Sequence, residues 1–336
     1  IFSASAGGVN LRHPVVFGTP LTVKNAVRRF QDFAAVIIDE AHGTTPTIRS
    51  IVDSMRESNP KLRAIGLSAT PYRMGTGYIY GREQDGSIVE EAIDPYFHTR
   101  VYEIGARTLI DEGYLTPPVF DVPQEHYDTS GLILNRTGKF ESDTIERAFE
   151  GHGRKTAAIV ADVVEKSRNR KGVMFFAATV QHGHEILASL PPDLSFFIDG
   201  KTDAATRKKA IQAFKAKRIK YLVNVQVLTT GFDAPHVDVI AILRATESVA
   251  LLQQIIGRGL RIDNGKSDCL VLDYAENIER HCPGGDIFAP VIRARVLKGG
   301  ESTTVVCPTC DYKNQFALRP NPDGYKMDEK GDWVDL

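Results

Sequence analysis

Long hydrophobic runs are missing from this chain. The longest, 33–38 and 237–243, are strand-length and fall far short of the roughly 18 apolar residues a membrane-spanning helix needs, so no membrane partner is expected. Cysteine is scarce: there are four in 336 residues, two of them in a single C-x-x-C, too few for a disulfide framework and in keeping with a reducing cytosol. Net charge is nearly lacking too. Lys and Arg total 41 against 42 Asp and Glu, leaving −1, so no global basic field exists and a nucleic-acid partner would have to be held by a local patch. Residues 1–10 have neither the basic start nor the apolar stretch of a secretory signal. With no initiator Met before an apolar opening, the chain reads as a piece of a longer one.

What remains is an ordinary globular composition, 42% hydrophobic and 25% charged, long enough for about two domains with their own cores. From Pro14 onward, short β-branched runs alternate with amphipathic stretches, the pattern of parallel βαβ units. In the first half strands are expected at 15–17, 34–38 and 62–67, with helices over 20–30 and 46–55 whose prolines, Pro20 and Pro46, suit first turns. In the second half strands are expected at 172–177, 194–198, 221–225, 237–243 and 268–272, with helices over 204–217 and 248–260 between them. The pair Pro117-Pro118 ends one pattern before a polar stretch. This divides the chain into 1–118, a connection or accessory segment 119–150, a second α/β domain 151–278 and a small tail 279–336.

Four strings could carry chemistry. Asp39-Glu40-Ala41-His42 leaves the apolar strand 34–38, and in an open parallel sheet that end faces the ligand crevice. One carboxylate could hold Mg²⁺ while its neighbour polarises an attacking water, as phosphate hydrolysis requires; the same pair could also simply cap a helix. Ser68-Ala69-Thr70-Pro71 follows the next strand, where small hydroxyls could bridge two sites or merely open a loop. In Thr229-Thr230-Gly231-Phe232-Asp233-Ala234-Pro235, Gly231 allows close backbone approach and Asp233 offers an acceptor to a ribose hydroxyl or an arginine; a tight turn closed by Pro235 is the plainer alternative. In Gln254-Ile255-Ile256-Gly257-Arg258-Gly259-Leu260-Arg261 the two arginines stand three apart, which would put both on one face of a helical turn, spaced for a triphosphate's terminal oxygens or for solvent.

Taken in this order, the four strings resemble the motor core of superfamily-two helicases over about 15–274. The resemblance implies an α/β fold of two tandem RecA-like parallel-sheet domains, the first incomplete here, with ATP in the cleft between them. It implies Glu40 as catalytic base, Asp39 as the Mg²⁺ partner, and Arg258 and Arg261 as arginine fingers. His42 and Gln254 would be cleft contacts, and Ser68 and Thr70 the coupling hinge; Gly231 and Asp233 belong to the same ATP and coupling set. Within the superfamily, 113–118, 171–179, 221–225 and 227–238 look most like the bacterial RadD family of DNA-repair ATPases, cytoplasmic and nucleoid-associated, with DNA as substrate, RNA left open, and other repair proteins as partners. Thr19, Thr179 and Thr230 are the candidate sugar-phosphate contacts. Lys201, Arg207, Lys208, Lys209, Lys215, Lys217, Arg218 and Lys220 form a basic run around one expected helix, a phosphate track or a solvated face.

Two features depart from the family. Its phosphate loop, G-x-x-x-x-G-K-[ST], does not occur; Gly265-Lys266-Ser267 has Leu260 where the first glycine belongs and lies behind the arginines. The loop is therefore expected upstream of these residues. Cys307-Pro-Thr-Cys310 has zinc-knuckle spacing but supplies two of the four ligands a tetrahedral Zn²⁺ needs. The resemblance to RadD-like proteins, in which further cysteines follow, implies zinc in the complete protein, with the missing ligands beyond Leu336. Two other functions stay open: a nucleic-acid-binding module without ATPase activity, and the motor subunit of a restriction complex.

Overall fold

The computed structural model describes residues 1–292 apart from 5, 74, 136–137, 228–231 and 291, followed by four short strands, Ser302–Val306, Lys313–Ala317, Tyr325–Met327 and Trp333–Asp335. Thr230, Gly231, Cys307 and Cys310 lie outside the described residues. Among the described residues no helix is long and apolar enough to cross a membrane, and no group of three or more His, Cys, Asp and Glu could hold a metal ion.

The front lobe is built on two parallel strands, β1 (Ala35–Ile38) and β2 (Arg63–Gly66), in register from Ala35 opposite Arg63 to Ile38 opposite Gly66. The helix between them, α1 (Pro46–Ser58), starts where Thr45 accepts a bond from the Ile48 amide and Pro46 takes the first turn, and it buries Ile51, Val52 and Met55. That side chain set seals one face of the two strands together with Phe2, Phe30, Ile38 and Leu62. The opposite face is bare: Ile37 is 65% exposed, Ile65 45% and Leu67 53%. Parallel strands ordinarily have both faces covered. The strand expected at 15–17 does not form. Phe17 instead accepts a bond from the Phe2 amide and Gly18 bridges Phe2, leaving Val15 and Phe17 exposed. The helix expected over 20–30 breaks into Pro20–Lys24 and a 3-10 turn, Val27–Phe30.

The rear lobe holds a six-stranded all-parallel sheet. Its strands are β3 (Pro118–Asp121), β4 (Val173–Ala177), β5 (Ser195–Ile198), β6 (Tyr221–Asn224), β7 (Val239–Leu243) and β8 (Cys269–Asp273), in the order β5-β6-β4-β7-β8-β3. The pleat of β4 sends Val173, Phe175 and Ala177 into one core and Met174 and Phe176 into the other, so every residue of the strand is buried. Residues 119–150, read from sequence as a connection, lie against this sheet: β3 is its edge strand, and Tyr127 and Phe149, the latter closing α2 (Ser142–Phe149), are fully sunk in its core. The longer helices that follow are α3 (Gly153–Lys166), α4 (Val180–Ala188), α5 (Ala204–Lys215) and α6 (Val249–Gly257). Thr179, Asp203 and Ser248 cap the last three through their side chains.

His182 on α4 lies inside this core. Its Nδ1 accepts from the Ala178 amide at 3.3 Å, and its Nε2 bonds the Tyr127 hydroxyl at 2.9 Å, which in turn meets Thr156 Oγ1 at 3.0 Å. Such a ring is neutral, and burial, reinforced by His152, pushes its pKa down to about 3. Below pH 6.5 the unfolded chain binds a proton that the folded chain refuses, so stability falls as pH drops from about 6.5 towards 3. The slope is up to about 1.4 kcal/mol per pH unit from this one group. Urea unfolding between pH 7.5 and 5 should show that slope, flattened by one proton's share in His182→Gln; an unchanged slope would mean His182 is not held neutral.

Candidate functional site

The acidic string lies where the end of β1 meets the end of β2. The Ala41 amide bonds the Leu67 carbonyl at 2.8 Å, and Glu40 takes a left-handed backbone, φ 48° and ψ 50°, that turns the chain sharply out of the strand. Asp39 is exposed, with Oδ1 held by the Glu40 amide at 2.9 Å. A hard, solvent-facing carboxylate so placed suits Mg²⁺. His42 is gripped on both ring nitrogens. Nδ1 lies 3.0 Å from Ser68 Oγ, 3.3 Å from Thr70 Oγ1 and 3.5 Å from Glu40 Oε2, while Gln254 Nε2, from the rear lobe, donates to His42 Nε2 at 3.1 Å. An Nε2 that accepts leaves the proton on Nδ1, donated to the hydroxyls. Burial pushes the His42 pKa down, the Glu40 carboxylate pushes it up and Arg73 pushes it down, with a net lowering, which keeps the ring in this neutral form.

The arginines converge on one atom. Arg258 Nη1 and Arg261 Nη1 both donate to the Phe232 carbonyl, at 2.7 and 2.6 Å, and Arg261 also pairs with Asp233 at 2.6 Å. Of the two partners the sequence offers Asp233, the structure places the arginine. The expected helical turn carries only the first of them: α6 ends at Gly257 with Arg258 as its C-cap, still in helical conformation, and Arg261 lies beyond it, bridged to Leu115. Just beyond α6 the backbone packs tightly on the sheet at Gly259, where a Cβ would lie 2.2 Å from Cys269 Sγ and 2.8 Å from Ile240 Cγ1. Arg258 is buried, and its pKa is lowered by burial and by Arg261 but raised by Glu40 and Asp233. The acid from the front lobe and the guanidinium from the rear lobe therefore share one electrostatic neighbourhood.

Sequence reasoning missed four residues that hold this arrangement. Arg73 donates through Nε to the His42 carbonyl and through Nη2 to the Thr44 carbonyl, the latter at 2.6 Å, clamping the acidic turn. Lys266 spends its ammonium on the carbonyls of Gly259, Arg261 and Pro235, at 2.6, 2.7 and 3.1 Å; the Gly-Lys-Ser string is thus a brace for the arginine loop. Tyr72 and Gln253 bond each other across the lobes. Only the adjacency of Tyr72 and Arg73 to Ser-Ala-Thr-Pro, and of Gln253 to Gln254, could have pointed to them.

The candidate strand contacts are less unified. Thr19 is exposed and bonds Ser3 and Thr22, at the start of a five-residue helix rather than at a strand end. Thr179 does follow β4, but its hydroxyl caps the His182 amide at 3.1 Å and donates to Glu150 at 2.5 Å. In the basic run, Arg207 is turned onto the Asp199 and Thr202 carbonyls and Lys220 onto those of Ser167 and Arg168. Lys201, Lys208, Lys209, Lys215, Lys217 and Arg218 remain exposed. Cys269 and Cys282 are buried and free, and His281 bonds the Thr246 carbonyl at 2.9 Å.

Residues 155–263 match the helicase conserved C-terminal domain. Over 259 residues the chain is 27% identical to irc3 of Schizosaccharomyces pombe, described as a mitochondrial ATP-dependent helicase, covering 74% of this chain and 39% of the relative. The chain thus spans about two-fifths of that relative's length. Among solved structures, a fragment of an HsdR-type subunit of a type I restriction enzyme from Vibrio vulnificus is 22% identical with a TM-score of 0.57, covering 77% of this chain and 47% of that one. The Mycobacterium smegmatis helicase Lhr, bound to ssDNA and AMP-PNP, is 16% identical with a TM-score of 0.50, covering 80% and 34%. The two structural likenesses establish a shared, mostly parallel α/β fold of the RecA-like helicase kind.

Proposed function

We propose that the complete protein containing this chain is an ATP-dependent nucleic-acid motor of helicase superfamily two, acting on DNA in repair or recombination in the manner of the RadD family. The observation that carries this reading is His42, whose ring is held by front-lobe hydroxyls on one nitrogen and by rear-lobe Gln254 on the other. A cleft whose two walls touch through a histidine lying 3.5 Å from the Glu40 carboxylate is built so that events at the acids alter lobe contact. Glu40 takes the proton of the attacking water, and Asp39 holds Mg²⁺, which when bound neutralises charge on the phosphates. Arg258 and Arg261 leave the Phe232 carbonyl to meet charge developing on the terminal phosphate. The phosphate-gripping loop is contributed from outside these 336 residues, and the bare face of β1 and β2, with Ile37, Ile65 and Leu67 exposed, supports a further layer there. Cys307 and Cys310 contribute to zinc binding in the complete protein.

The test is ATP turnover with and without single-stranded DNA. The complete protein should hydrolyse ATP and be stimulated by the strand, while the 336-residue chain alone stays at background. Turnover by this chain alone would overturn the placing of the loop. A complete protein that binds DNA without any hydrolysis would overturn the motor and leave a binding module.

A further inference from the structure

Gln254 is not alone in crossing between the lobes. The residue before it, Gln253, accepts a hydrogen bond from the Tyr72 hydroxyl, and Tyr72 comes two residues after Thr70, which touches His42. Tyr72 belongs to a two-residue strand, Tyr72–Arg73, paired antiparallel with Gly77–Tyr78, and its ring packs edge-on against Tyr78 at 6.0 Å. It is only 8% exposed. Its partner is oriented in advance: Gln253 Nε2 donates to the Ile287 carbonyl at 2.6 Å, which turns Oε1 towards the phenol. Burial raises the phenol's pKa, so the hydroxyl keeps the proton it donates. Ile287 in turn lines, with Gly284, Gly285, Asp286 and Phe288, an open cavity of about 550 Å³, and Asp286 there pairs with Arg107, on the short helix Ala106–Asp111, at 2.5 Å.

We propose that Tyr72 is a positioning residue which, through Gln253, latches α6 to the front lobe and so sets the place of Arg258 relative to Glu40. The inference rests on the motor reading and deepens it. Arg258 lies four residues beyond Gln254, about one helical turn and roughly 6 Å along the axis. Fixing two successive glutamines on two different front-lobe groups fixes both the rotation and the height of that turn, which a single contact at His42 would leave free to swivel. The latch also differs from the His42 contact in kind. The His42 ring touches Glu40 and so feels the chemistry, whereas Tyr72 is tied to the segment around Ile287 and keeps register while the catalytic contact changes.

The test uses the complete protein carrying donor and acceptor dyes at the exposed positions Ser50 and Lys209, introduced through non-cysteine handles, with Mg–AMP-PNP as the probe. Tyr72→Phe keeps the ring and removes only the hydroxyl. It should lower the closed-to-open ratio of the lobes by about 2- to 10-fold, the range for one hydrogen bond. Gln253→Leu should do the same from the other side, and the double variant should do no more than either single one. Additive effects would overturn the pairing. If Gln254→Ala opens the lobes while Tyr72→Phe leaves them unchanged, the latch is wrong and the motor reading stands. If neither substitution nor the nucleotide alters the lobe separation, the cleft reading falls together with the latch.

Discussion

Replacing Arg258 with alanine in the complete protein should lower ATP turnover by about 10³- to 10⁵-fold, the contribution of an arginine that meets charge on a transferring phosphoryl group. Two observations single out this residue over its neighbour. Arg258 is 8% exposed and so acts in a medium of low polarity where its charge is weakly screened. Arg261 shares the same carbonyl but is also partly neutralised by Asp233, so Arg261→Ala should cost less. Arg258→Lys should not restore turnover, because an ammonium cannot reproduce the planar fork. Strand binding should persist, and circular dichroism should confirm that losing the bond to Phe232 has not unfolded the rear lobe. Turnover within tenfold of the unaltered protein would remove Arg258 from the reaction.

Glu40→Gln should lower turnover by about 10²- to 10⁴-fold, the usual share of a general base, while nucleotide binding is retained. The substitution keeps shape and removes charge and basicity, so the left-handed turn and the approach to His42 survive. A single-turnover measurement separates the outcomes. Slow cleavage of bound ATP fits a missing base; weak binding would instead mean that Glu40 holds the metal, a role assigned here to Asp39. Normal cleavage would end the assignment.

Much of the scaffold could be read before the fold. The strands expected at 34–38, 172–177 and 194–198 form as Ala35–Ile38, Val173–Ala177 and Ser195–Ile198, because short apolar runs rich in β-branched and aromatic residues suit a pleated sheet. Val15 and Phe17 show where that reasoning fails. Their run is short and apolar, yet the adjacent strand Phe2–Ser3 gives it a single bridge at Gly18 rather than a ladder, and Val15 and Phe17 lie exposed in a loop. The arginines show a second kind of failure: their spacing suggests one helical turn, but α6 ends at Gly257 with Arg258 as its C-cap, so Arg261 lies beyond it. For residues 119–150, polar composition hides that β3 joins the edge of the rear sheet and that Phe149 enters its core.

The sequence by itself determined the alternation of strands and helices and the place of the acids at the end of β1, and it offered candidate groups for holding a metal, moving a proton and gripping phosphate. These follow from local periodicity and side-chain chemistry, which act over a few residues. Only the tertiary structure decided that His42 meets Gln254, that both arginines share one carbonyl, and that Arg73, Lys266 and Tyr72 brace the site. Those contacts join positions up to 212 residues apart, and their formation depends on how two independently packed sheets come together, which no local pattern encodes.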